Sequence, residues 1–187
     1  LFPQAQTGPA GVGSSATNVF WIKADKGTST SVNGSPISVW NDQSGNGINM
    51  LQSVSAQQPL FSSNVINGLP AVQFDNSTAA NTNDKMIGPD SPILDNTRGY
   101  SFFTVTRPQN LNGDARVIVS KRTTVSVDQS FMLFYYTSNK FFVDIQTTDN
   151  RFNSNAAFSS NNNYIIDVVY DGTLASGSRS KLYIDET

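Results

Sequence analysis

With no histidine and no cysteine among its 187 residues, this chain has carboxylates, amides, hydroxyls and aromatic rings as its main groups for chemistry, beside twelve Lys and Arg side chains. That excludes thiolate nucleophiles, disulfides, histidine-based triads and the usual zinc sites. Carboxylates remain as acid–base groups. Asp167 and Asp171 stand four positions apart in one extended run, which puts them on one strand face about 13 Å apart. Glycoside hydrolysis asks for a pair at roughly 5–5.5 Å or 6.5–9.5 Å, so these two do not make one. The chain is therefore expected not to be an enzyme. Sugar binding asks for something else: an aromatic face to cover pyranose C–H groups, and a nearby amide or carboxylate to choose among hydroxyls. Tyr135 and Tyr136 with Asn139 offer that combination, as does Tyr100 beside Arg98. At a period of two, one of Tyr135 and Tyr136 turns inward, so only one of them is free for a ligand.

Strands must position these groups. Tyr100–Thr106 places Phe103 and Val105 on one face and Phe102 and Thr104 on the other. Tyr164–Tyr170 alternates Tyr164, Ile166, Val168 and Tyr170 with Ile165, Asp167 and Val169. Further strands are expected at 18–23, 38–40, 71–74, 85–87, 115–121, 130–136, 141–147 and 182–184, separated by turns rich in Asn, Gly and Asp. No segment keeps helical periodicity for three turns; 91–95 and 126–129 can each hold a single helical turn at most. The pattern predicts an all-β fold, a two-sheet antiparallel β-sandwich, with Trp21, Trp40, Phe74, Phe103 and Val168 between the sheets. Residues 1–17, rich in Gly, Pro, Ser and Ala, read as a flexible leader with little structure of its own, and 18–187 as one domain.

Composition narrows the function. Charged residues make up 14% of the chain, against about 25% in ordinary soluble domains, and Asn, Ser and Thr take their place. A net charge of −2 and a single adjacent basic pair, Lys121-Arg122, give no footprint for nucleic acid. No apolar run approaches the ~20 residues that span a bilayer as a helix, so no membrane insertion is expected.

One stretch is organised more tightly than the rest. Val39-Trp40 ends a strand, and in the turn Asn41-Asp42-Gln43-Ser44-Gly45-Asn46-Gly47 the Asp42 and Ser44 side chains can accept from backbone N–H groups just downstream. Trp21 and Ala24-Asp25 precede it, and Asn67-Gly68-Leu69-Pro70-Ala71-Val72-Gln73-Phe74-Asp75 follows. This series resembles the opening of the concanavalin A-like lectin/glucanase superfamily, in its laminin-G-like branch. The run Tyr100–Pro108, ending in Arg107-Pro108, is similar to that family's central strand, and Tyr164–Gly172 followed by Lys181–Asp185 to its late strand pair.

The resemblance implies a jelly roll and a secreted or cell-surface role. The Gly8-Pro9-Ala10-Gly11-Val12-Gly13 run looks like the leader of Bacteroidota surface proteins exported by type IX secretion. Three jobs follow as expectations: a carbohydrate-binding or adhesion module of a larger protein, a structural or docking module that binds no sugar, or an accessory domain of a multidomain polysaccharide hydrolase. The partner is accordingly a glycan or another surface or secretion protein. The family's Glu-x-Asp-x-x-Glu hydrolase motif does not occur. No cofactor is required by this reading, but the resemblance implies calcium as an ion to consider, with Asp42, Asp75 and Asp84 as ligands at strand ends and polar loops. The family also closes its sandwich with late return strands, so the fold is expected to be incomplete at Thr187 and completed by a longer polypeptide.

Overall fold

The computed structural model describes residues 8, 13, 14, 16–75, 83–95, 99–112, 114–121, 131–145 and 147–186, with the backbone alone at 147–150, 176 and 186. Most of the 1–17 leader, Arg98, Arg122, the 126–129 turn and Thr187 lie outside them. The fold is all-β: eleven strands in four antiparallel sheets, with no α-helix among the described residues and only short 3-10 turns, one of them at Pro92–Leu94 inside the expected helical turn. The chain forms two compact units, Leu1–Leu94 and Asp95–Thr187.

The first unit is loop-rich. Strands β1 (Val39–Trp40) and β2 (Met50–Leu51) form one small ladder; β3 (Leu60–Ile66) and β4 (Leu69–Gln73) form a hairpin. Its turn is Asn67-Gly68, with φ of 51° and 80°, the left-handed pair that a two-residue hairpin of matching twist demands. Ile37, Ile48, Pro59 and Phe61 are buried here. The expected strand at 18–23 is absent: that segment is tied down by hydrogen bonds to the 41–49 loop, with only an isolated bridge from Lys23 to Lys26. The strand expected at 85–87 reduces to one bridge, Ile87 to Leu51.

The second unit is a two-sheet sandwich. One sheet has the order β11 (Ser180–Glu186), β10 (Tyr164–Asp171), β5 (Gly99–Thr106). The other is the meander β6 (Arg116–Lys121), β7 (Phe131–Tyr136), β8 (Lys140–Ile145), β9 (Thr147–Asn153). Alternate residues of both sheets meet in a core of Leu133, Tyr135, Phe141, Val143, Ile145, Phe158, Tyr164, Ile166, Val168 and Tyr170. The period-two reading of β10 thus holds along its whole length.

Two predicted core residues are misplaced. Phe103 is exposed, because β5 pairs with β10 in the register Phe103↔Asp167 and Phe102↔Val168, so Phe102 follows Val168 inward and Phe103 follows Asp167 outward. Phe74 is exposed just beyond the end of β4, where the ladder no longer fixes its face. Trp21 and Trp40 are half-buried rather than central; Trp40 Nε1 donates to the Lys23 carbonyl at 2.9 Å, which holds its indole at the loop. Val168 is fully buried, as predicted.

Candidate functional site

The Asp42 loop is a knot of hydrogen bonds. Asp42 Oδ1 accepts from the backbone N–H groups of Trp21 (3.0 Å) and Ser44 (2.9 Å). Its Oδ2 accepts from the Ser44 hydroxyl (2.7 Å) and the Ile48 N–H (3.1 Å). Asn46 N–H donates to Ser44 Oγ at 3.2 Å, so the downstream acceptor roles read from the sequence are both present. Burial acts to raise the Asp42 carboxyl, but the bonds from Ser44, Trp21 and Ile48 outweigh it and hold the group below the ordinary carboxylate range. Four donors directed at one carboxylate occupy its lone pairs, and that does not fit a role as calcium ligand.

Asp75 and Asp84 do come together. The Asp75 N–H donates to Asp84 Oδ2 at 2.7 Å, and the Asp84 N–H donates to the Asp75 carbonyl at 3.0 Å. Burial, with the Asp75 charge adding to it, pushes the Asp84 carboxyl up. Calcium takes 6–8 oxygens, and among the described residues no group of three or more acidic, His or Cys side chains converges on one point.

Tyr135 and Tyr136 divide as the alternation requires. Tyr135 is 3% exposed, packed edge-on against Phe141 and Phe158 in the core, and burial raises its phenol well above the ordinary value. Tyr136 is 38% exposed, yet Phe134 and Phe142 already crowd its ring, at centroid distances of 6.0 and 5.7 Å. On the same sheet face Arg151 forks onto the buried Asp144, Nε to Oδ1 at 2.6 Å and Nη2 to Oδ2 at 2.8 Å, with its guanidinium 5.4 Å from the Phe134 ring. Asn139 serves the hairpin: with Ser138 it adopts positive φ, and its carbonyl accepts from the Phe158 N–H at 2.8 Å. Tyr100 packs against Phe131 and Tyr170 at the core margin and offers no free face.

The sequence reading did not anticipate the solvent face of β11–β10–β5. Register sets Asp167 opposite Phe103 on one side and Tyr183 on the other, a row of three across the sheet. Phe103 is 67% and Tyr183 53% exposed, and Val105 and Ile165, themselves a cross-strand pair, extend the same face. Asp167 Oδ1 is buried and accepts no hydrogen bond from the protein, and burial raises the Asp167 carboxyl. The available signal was the odd-numbered phase of β10, which already put Ile165, Asp167 and Val169 on one face. Phe103 could not be phased in the same way, since Phe102 beside it is equally apolar. Two exposed rings astride a carboxylate can cover an apolar ligand surface and accept a hydrogen bond at its centre. Comparison of the chain with protein-family models, with curated proteins and with solved structures finds no match to any of the three.

Proposed function

We propose that this chain is a non-enzymatic, secreted or cell-surface carbohydrate-binding or adhesion module of a larger protein of a Gram-negative bacterium, and that it binds glycan on the solvent face of β11–β10–β5. The observation that carries the reading is the Phe103–Asp167–Tyr183 row. Exposed large aromatics on a sheet face are costly to leave in water and are suited to lie against pyranose C–H faces, with the carboxylate between them selecting hydroxyls. The resemblance of residues 18–187 to concanavalin A-like modules supports the same class of job, and the likeness of the Gly8–Gly13 run to leaders of type IX-exported surface proteins supports the location. Tyr136 is the weaker candidate because neighbouring rings already occupy its surroundings.

The docking reading draws on the apolar pair Val105 and Ile165, which widens the face beyond what a sugar ring needs. A glycan array separates the two. The carbohydrate reading expects binding to a defined set of glycans that Phe103→Ala and Tyr183→Ala each weaken. An array without signal, or signal indifferent to both substitutions, overturns it. Calcium, should binding prove ion-dependent, is to be sought at Asp75 and Asp84.

A further inference from the structure

The row of three has an electrostatic asymmetry. Asp167 is a carboxylate with one oxygen buried and not hydrogen-bonded, and among the described residues no Lys or Arg lies within ion-pairing distance of it. The charged and titratable groups sharing its face are Asp171 on β10 itself and Lys181, Tyr183 and Asp185 on β11; the side chains from β5 are Ser101, Phe103 and Val105. Lys181 stands opposite Val169, one cross-strand position away, and makes no bridge to Asp167. A partly buried carboxylate with no cation beside it is less favourable than a paired one, and a ligand that brings a cation and N–H donors supplies the missing partner.

The flanking rings add to that preference. Adjacent strands lie about 4.8 Å apart, so a group seated on Asp167 has the strand positions of Phe103 and Tyr183 one spacing away on either side, and a cation there is drawn to a ring face that comes within ~6 Å. A hydroxyl can hydrogen-bond the accessible side of the carboxyl but leaves its charge in place. An ammonium approaching from solvent hydrogen-bonds the accessible side of the Asp167 carboxyl, neutralises its charge and gains further where a ring face lies against it. Val105 and Ile165 extend the exposed apolar surface beside the row, enough for a polymer rather than a single ring.

Building on the carbohydrate reading above, we infer that this face selects pyranoses bearing a free ammonium group, so that its ligand is a cationic amino-sugar polymer. Burial that raises the Asp167 carboxyl is consistent with a group whose counter-charge comes from outside the chain. Affinity gel electrophoresis of the full chain tests this, with chitosan as the cationic probe, its N-acetylated oligomers as the neutral counterpart and polylysine as a basic peptide. Chitosan is expected to retard the chain, and Asp167→Asn to weaken that retardation by roughly tenfold. Phe103→Ala, a change at an exposed ring, should also weaken it without disturbing the fold. Asp114→Asn removes one equal charge from an exposed position and should leave retardation as it was.

Equal losses in Asp167→Asn and Asp114→Asn would reduce the effect to polyelectrolyte adsorption and overturn the inference. Acetylated oligomers bound as tightly as chitosan, with Asp167→Asn silent, would overturn amine selection while leaving carbohydrate binding in place. Binding of polylysine with no polysaccharide retained would overturn both readings in favour of a basic protein partner.

Discussion

Replacing Asp42 by asparagine keeps the shape of the side chain but exchanges one carboxylate oxygen for an NH2 group. Wherever that group sits, it faces a donor: Ser44 and Ile48 on the Oδ2 side, Trp21 and Ser44 on the Oδ1 side. The Ser44 hydroxyl can rotate and accept instead, but a backbone N–H cannot, and Ile48 and Ser44 are buried, so water does not readily replace the lost acceptor. Losing one charge-assisted bond and weakening the other three should cost about 2–4 kcal/mol, a large part of the ~5–15 kcal/mol that holds a typical domain together.

The same carboxyl lies lower in the folded chain than in the unfolded one, where it titrates at about 3.9. Its contribution is therefore complete above that value and is lost as pH falls through the folded value. Urea unfolding followed by tryptophan fluorescence reads the change locally, because the only two tryptophans, Trp21 and Trp40, flank the knot. The expected result is a lower midpoint at neutral pH and a flatter acid limb in Asp42→Asn. A shift below about 0.5 kcal/mol, the range of ordinary surface changes, together with an unchanged acid limb, would refute the view that Asp42 organises this loop.

Other outcomes follow from the same geometry. Ile166→Ala should cost about 2–5 kcal/mol in urea unfolding while Phe103→Ala stays within about 0.5 kcal/mol; equal losses would mean the β5–β10 register is wrong. Arg151→Ala should destabilise by about 1–3 kcal/mol by withdrawing the fork from buried Asp144, and replacing both residues with apolar ones should cost less, which a double-mutant cycle measures. The Asp84 carboxyl is raised by burial, so its ionisation opposes folding as pH rises through the unfolded value; Asp84→Asn should leave the neutral-pH midpoint unchanged or raise it, and a clear fall would contradict this. Millimolar calcium should not move the tryptophan unfolding midpoint, since N–H and O–H donors already occupy Asp42; a rise abolished by Asp75→Asn would place an ion at the Asp75–Asp84 pair.

Strand periodicity made much of this fold legible. The alternation in 164–170 gave the buried face of β10 correctly, and the parity of Tyr135 and Tyr136 anticipated that one would be core and the other surface. Asp42 and Ser44 were readable as local acceptors because their partners at 44, 46 and 48 lie within a few residues. The Trp21 N–H, 21 positions away from Asp42, was not, and neither was the loss of the strand expected at 18–23 to that loop.

The sequence by itself determined the class of fold, the period of strands such as β10 and the absence of thiol and imidazole chemistry, since these depend on residue type and local spacing alone; it did not mark β2, β3 or β9. Tertiary structure decided which way Phe102-Phe103 turned and brought Phe103, Asp167 and Tyr183, from three separated strands, into one row. The physical reason is that a strand's two faces are equivalent until pairing fixes its register, and a one-residue slip would exchange them.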